Sequence, residues 1–217
     1  MPDARPLVIK LVRHGESQAN VGVLRAREVG DYAIPLSPRG HDQAAATGRT
    51  LGADFVGSAV IYSSPYRRTR DTTEGILAGA GVARQSVRVF EDPRLREVEH
   101  GYEDPEAQEE LREMHGWFYY RFRGGESPAD CFDRTSSFLE SMMRLVERRG
   151  SERVLIVTHG LTIRCFVMRF LHLTVEEFDG IENPPNGGIV TIAPHDTLEG
   201  CVFESGRWGV AGLTLRD

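Results

Sequence analysis

The chain has 217 residues, 40% hydrophobic and 27% charged, with a formal net charge of −6. This composition supports a well-buried core and excludes a disordered chain; the acidic balance argues against general nucleic-acid binding, which requires a basic face. No apolar run reaches the length of a membrane span, and Lys10 interrupts the short apolar start, so neither a membrane partner nor a signal peptide is expected and a cytoplasmic location follows by default.

Strand-like and helix-like segments alternate along the chain. Leu7–Val12 reads as a strand. Pro38–Leu51 reads as a helix, with Ser37 placed to cap it and Pro38 suited to its first turn. Ala59–Ser63 is a second strand, Pro65 opens a helix through about Leu77, and a third strand falls near Val87–Phe90. Residues 103–126, acidic and then aromatic in "GWFYYRFRGGES", break the rhythm and read as a helical cap or insert over the sheet. Ser127 and Pro128 restart a helix to about Arg149. Val154–Val157 is the fourth strand, followed by a helix after Gly160. "GIVTIAP" and "CVFES" read as two late strands joined by a turn. Such alternation predicts a single α/β domain over residues 1–217 with a largely parallel sheet.

Cys131, Cys165 and Cys201 are scattered, and no Cys-x-x-Cys exists, so they read as small core residues rather than a zinc knuckle or disulfide framework. Lys10 is the only lysine, against 25 arginines. That removes the phosphate-binding loop with its Gly-Lys-Ser/Thr, and Schiff-base chemistry, unless Lys10 serves from within a strand. Any phosphate here is bound by arginine, histidine or backbone. "GAGVAR" (79–84) starts like a dinucleotide fingerprint, but Arg84 stands where the third Gly or Ala is needed and the segment precedes a strand rather than following one.

In an open parallel sheet, ligands bind beyond the carboxyl ends of the strands. Three strand ends here carry phosphate-compatible groups: Arg13 and His14 after the first, Arg67 and Arg68 after the second, and His159 after the fourth. Each histidine is followed by glycine, which lets the backbone turn tightly and come close to a ligand, and a helix starting after Gly160 would aim free N–H groups at an anion. Two imidazoles could instead hold a metal, but a cation site beside several guanidiniums is electrostatically poor. "HGE" also matches half of a zinc-deaminase signature whose Pro-Cys-x-x-Cys half is missing.

Taken in order, "RHGESQAN", "SSPYRRTRDT", "LREVEHG" and "VLIVTHG" resemble the four signatures of the histidine phosphatase superfamily in its phosphoglycerate-mutase-like branch, over about Leu7 to Ile192. The resemblance implies a three-layer α/β/α fold with a mostly parallel central sheet, and phosphoryl transfer through phosphohistidine without metal or other cofactor. It also implies roles. His14 is the nucleophile, Arg13 and Arg68 clamp the phosphoryl oxygens, Asn20 donates to the same group, and His159 stands opposite with the backbone of Gly160 assisting. Glu97 matches the acid that protonates the leaving oxygen; pairing with Arg94 or Arg96 is the alternative its neighbours leave open. Arg67 reads as a solvated helix residue.

Hydrolase and mutase share this core. "EVEHGYEDPE" departs from the Glu-Arg-His-Tyr-Gly run of cofactor-dependent mutases, and "YRFRGGES" looks more like the insert of small phosphatases, which favours a phosphatase over a mutase-type phosphotransferase. A non-catalytic phosphate-binding protein is the reading of another class, and the intact set of Arg13, His14, Arg68, Glu97 and His159 counts against it. Arg121 and Arg123, with Trp117, Phe118, Tyr119 and Tyr120, either line the mouth of the site or pack the excursion onto the sheet. The expected partner is a phosphorylated small-molecule substrate.

Overall fold

The computed structural model describes residues 6–101 and 106–216. In chain order they form β1 (Val8–Arg13), α1 (Ala26–Val29), α2 (Pro38–Ser58), β2 (Val60–Ser63), α3 (Arg67–Gly79), β3 (Val89–Glu91), α4 (Glu109–His115), α5 (Pro128–Arg149), β4 (Arg153–Thr158), α6 (Gly160–Leu171), α7 (Val175–Asp179), β5 (Ile189–Pro194), β6 (Cys201–Ser205) and β7 (Trp208–Ala211). The seven strands make one sheet in the order β3-β2-β4-β1-β5-β7-β6. β3, β2, β4 and β1 pair in parallel, whereas β5, β7 and β6 continue the sheet antiparallel. Five strands thus share one direction, and only β5 and β6 oppose it.

Period-two patterning in the central strands sorts side chains onto two faces. Ile9, Leu11, Val60, Tyr62, Val154 and Ile156 face α5 and α6, where Phe138, Met142, Phe166 and Val167 complete the larger core. Val12, Ile61, Leu155 and Val157 face α2 and α3 and pack with Leu51, Val56, Ile76 and Leu77. The result is the expected three-layer arrangement. Lys10 points to the second face, its ammonium 4.9 Å from the Phe55 ring on α2. It is therefore spent on packing within the sheet.

The expected helix end at Leu51 is in fact a kink: Gly52 leaves helical geometry (φ 77°, ψ 157°) and α2 resumes to Ser58. Ser37 caps α2 as expected, its Oγ accepting from Gly40 N–H. Ser127 and Asp130 form a reciprocal capping box at the start of α5. The two late strands are joined by a turn at 195–200, as the sequence suggested, but they do not pair with each other. β7 lies between β5 and β6 and pairs with both, and Gly206 (φ 58°) supplies the left-handed residue for the two-residue hairpin between Ser205 and Trp208. The excursion is helical only through 106–115; residues 116–127 are turns and loop, and 103–105 lie outside the described residues. No helix among the described residues is long and apolar enough to cross a membrane.

One close approach fixes α2 against the chain leaving β1. A Cβ on Gly15 would lie 2.3 Å from the Gly40 carbonyl oxygen, and one on Gly40 would lie 2.0 Å from that of Glu16. Both obstacles are backbone, so neither can swing aside. Gly40→Ala should therefore destabilise the fold by about 1–3 kcal/mol, the usual cost of forced overpacking, read as a lowered urea midpoint with unchanged m-value. A stability equal to that of the parent would mean that the two segments separate freely.

Candidate active site

Register brings the two histidines together. Arg13 of β1 pairs with Thr158 of β4, so the next residue on each parallel strand, His14 and His159, emerges side by side despite 145 positions of separation. His14 N–H donates to the Thr158 carbonyl at 2.9 Å, extending the ladder by one step. The rings meet edge to face with centroids 5.2 Å apart, close to the spacing of neighbouring strands. Ser63 of β2 pairs with Val157, and the following Ser64 places its Oγ 2.9 Å from His159 Nε2.

Both imidazoles are almost completely buried. His14 Nδ1 lies 2.7 Å from the Gly15 carbonyl oxygen. A carbonyl can only accept, so the network assigns the proton to Nδ1 and leaves the Nε2 lone pair free. Burial, then the nearby Arg68 guanidinium and more weakly Arg13, lowers the His14 pKa from 6.5 to about 3; the Gly15 hydrogen bond opposes the shift. His159 is pushed well below its ordinary value by burial first and then by Arg68, His14, Arg134 and Arg13. Two neutral imidazoles therefore stand amid cationic groups.

Arg13 leaves the sheet half-buried, with Nη1 donating to the Pro184 carbonyl at 2.6 Å. Its pKa is lowered by burial; Glu97 opposes that shift and Arg68 adds to it. Arg13 Nε and His159 Nδ1 are both buried without a hydrogen-bond partner among the described residues. Arg68, near the start of α3, is buried, and both terminal nitrogens of its fork donate to Asp31. Arg67 instead projects outward and pairs loosely with Asp71 one turn on, at 3.6 Å, as its solvated reading required.

Asn20 is exposed, and its Oδ1 accepts from Ser17 N–H and Ser17 Oγ at 3.0 Å. Glu97 is half-buried. Its Oε1 lies 3.1 Å from Val98 N and 3.3 Å from Thr162 Oγ, which in turn donates to the Arg96 carbonyl at 2.8 Å. Among the described residues the alternative pairing of Glu97 is not found: Arg94 binds Asp92 at 2.7 Å, and Arg96 binds Glu126. Gly160 opens α6 directly after His159, so the first N–H groups of that helix lie beside the imidazoles.

Several site residues escaped the sequence reading. Asn186 Nδ2 donates to the His14 carbonyl at 3.0 Å and lies 3.3 Å from Asn20 Oδ1, while Gly187 N–H reaches the Arg13 and His14 carbonyls. The turn-rich run "NPPNGG" before β5 was the available signal. Ser64 and Thr72, whose Oγ accepts from Gly15 N–H at 3.0 Å, lie inside recognised signatures without a role there; Thr162 and Asp31 lie outside all four. The aromatic segment takes its packing reading: Phe118, Tyr120 and Phe122 are buried with Val98, Leu161, Cys165, Met168 and Phe178. Tyr119 alone of that run is well exposed, and Arg121 pairs with Asp130. Cys131 and Cys165 are core residues, and Cys201 is half-buried on β6. Among the described residues no group of three or more His, Cys, Asp or Glu side chains is placed to hold a metal ion.

A family model described as the histidine phosphatase superfamily (branch 1) matches residues 9–203. The phosphoglycerate mutase-like protein AT74 of Arabidopsis thaliana is 36% identical over a match covering 98% of this chain and 74% of its own. The broad-range acid phosphatase DET1 of Saccharomyces cerevisiae is 25% identical, covering 94% and 90%. Among solved structures, a mycobacterial glucosyl-3-phosphoglycerate phosphatase in complex with VO3 superposes with a TM-score of 0.69 at 25% identity, covering 95% of this chain and 97% of that one.

Depressed imidazole pKa values have a measurable consequence. Between pH 6.5 and about 3 the unfolded chain binds a proton at His14 that the native state refuses, so this residue makes stability rise with pH across that window. His14→Gln should remove that dependence, flattening the stability curve by up to about 1.4 kcal/mol per pH unit relative to the parent. Denaturant titrations at pH 4, 5 and 6 measure it; parallel curves for the two proteins would place the His14 pKa at its ordinary value.

Proposed function

The chain belongs to the histidine phosphatase superfamily, branch 1, and within it we propose a metal-independent phosphomonoesterase that works through a phosphohistidine at His14. One observation carries the reading: a neutral His14, with its proton held on Nδ1 by the Gly15 carbonyl, packs its ring against that of His159, and the neighbouring His159 Nδ1 and Arg13 Nε are buried nitrogens without a hydrogen-bond partner among the described residues. An oxyanion with several acceptor oxygens fits such a set.

In this mechanism a phosphate ester docks with its oxygens on Arg13, Arg68, Asn20 and His159, helped by the N-terminal N–H groups of α6. His14 Nε2 attacks phosphorus in line as the ester P–O bond breaks. Glu97 gives its proton to the departing alkoxide, then accepts one from the water that attacks the phosphohistidine and releases inorganic phosphate. His159, with Nε2 accepting from Ser64, offers its Nδ1–H to the charge that spreads over the equatorial oxygens. Residues 1–217 are read as one such domain, with 103–126 as its insert.

Hydrolysis rather than transfer to a second hydroxyl is supported by the departure of "EVEHGYEDPE" from the mutase run and by the names of the yeast and mycobacterial relatives, both phosphatases. The name of the plant relative, mutase-like, keeps transfer as the second reading. A screen of phosphorylated metabolites with and without a phosphoglycerate acceptor distinguishes the two.

Aryl-phosphate hydrolysis should survive dialysis against EDTA and be lost in His14→Ala. Rapid quench with labelled substrate should trap an acid-labile, base-stable phosphoprotein that His14→Gln cannot form. Label retained in His14→Gln but absent from His159→Ala would transfer the nucleophilic role to His159.

Glu97→Gln should slow hydrolysis of an alkyl phosphate by roughly 10²–10⁴-fold, the range of general acid–base catalysis, and an activated aryl phosphate far less. The reason is that only the poor leaving group needs its proton. Measuring kcat/KM across esters of graded leaving-group pKa decides it, and equal losses throughout would leave Glu97 a structural partner.

A further inference from the structure

Arg68 is held by a residue that lies outside all four sequence signatures. Its Nη1 donates to the Asp31 carbonyl at 2.7 Å and to Asp31 Oδ1 at 3.0 Å, and its Nη2 donates to Oδ2 at 3.2 Å. The Tyr66 ring covers one face of the guanidinium at 4.9 Å. A guanidinium presents planar edges, each able to grip two acceptor oxygens. With the Nη1–Nη2 edge taken, the edge left for phosphoryl oxygens is Nε–Nη2. No described protein group accepts from Nε.

We propose that Asp31 is a positioning residue of the phosphoryl site, fixing the plane of Arg68 so that its Nε–Nη2 edge is presented to the group on His14. This rests on the phosphatase reading above. Asp31 itself is 41% exposed at its side chain, so the Coulombic term of the pair is weak in water. What it supplies is geometry: three hydrogen bonds from one buried fork to one residue, side chain and backbone together. Asp31 opens a single 3₁₀ turn, Asp31–Ala33, stationed over α3 by these contacts. The opposite possibility is a gate, in which the carboxylate occupies Arg68 until a phosphate displaces it. The two differ in sign: removing a brace weakens oxyanion binding, and removing a competitor strengthens it.

Kinetics on an aryl phosphate, together with calorimetric titration of the full chain by inorganic phosphate and by orthovanadate, test this in Asp31→Ala and Asp31→Asn. Asp31→Ala should lower kcat/KM by about 10²-fold, the loss that a small misplacement of a reacting group produces, chiefly in kcat. It should weaken orthovanadate, whose trigonal-bipyramidal form resembles the transferring phosphoryl group, more than inorganic phosphate. Asp31→Asn retains an acceptor for Nη1 and should recover much of the loss at an unchanged melting temperature. Tighter phosphate binding by Asp31→Ala would overturn the inference in favour of a gate, and kinetics equal to the parent would overturn it outright. If the parent hydrolyses no phosphate ester while Asp31→Ala still loses orthovanadate, the phosphatase reading fails and the positioning role stands. If the parent is active and Asp31→Ala equals it in turnover and binding, the positioning role fails alone.

Discussion

Two uncharged imidazoles buried among guanidiniums set the terms for the rest of the molecule. Protonating either would add a like charge in a water-poor site, and burial together with Arg68 keeps both neutral. The excess positive charge of Arg13 and Arg68 is only partly answered, by Asp31 at one fork and by Glu97 nearby. What remains attracts a dianion. The chain as a whole carries −6, yet its charges act over a Debye length of about 8–10 Å, so the field at a cleft is set by the groups lining it and not by the total.

Such a cluster needs a rigid frame, because neither imidazole has an ionic partner among the described residues to orient it. The frame is the set of carboxyl ends of three adjacent parallel strands. β4 is inserted between β2 and β1, so His159 and His14 leave neighbouring strands at the same level and Ser64 leaves the third strand one residue earlier. Backbone carbonyls do much of the aiming: Gly15 for the His14 ring, Pro184 for Arg13 and Thr158 for the His14 backbone. Asn186 and Gly187 hold the outer side of the same turn, and the Gly15–Gly40 contact wedges α2 against it. A carbonyl oxygen cannot titrate or change rotamer, which suits it to fixing a tautomer.

The parts of this arrangement that were legible in the sequence are those with local signals. Strand ends before His-Gly, a serine cap ahead of Pro38 and the alternation of elements are written in adjacent residues, and the layers follow from them. The seventh strand was missed although "ESGRWGV" contains a Ser-Gly turn between two short runs, because Trp208–Ala211 is too short to show periodicity of its own. The contacts of Asn186 and Asp31 escaped for a different reason, although the turn-rich run around Asn186 marks a loop. Each acts on a residue far along the chain, 172 positions from His14 and 37 from Arg68, as a single residue in a connecting segment. No periodicity or spacing encodes such a contact; only the folded backbone does.

The same distinction explains how Glu97 stays available in an arginine-rich neighbourhood. On sequence alone, an acid one residue from Arg96 and three from Arg94 reads as a salt-bridge partner. The fold assigns those arginines elsewhere. Asp92 takes Arg94 through backbone and side chain of its own turn, and Glu126 takes Arg96 and, at 3.2 Å, Arg134. Glu126 can do so because residues 116–127 fold back on the aromatic cluster of Phe118, Tyr120 and Phe122, which brings the start of α5 over the segment carrying Glu97. The aromatic excursion thus contributes to the site indirectly. By packing, it delivers a carboxylate that neutralises the surrounding arginines and leaves Glu97 held only by a hydroxyl and a backbone N–H at one oxygen, with no ion pair among the described residues.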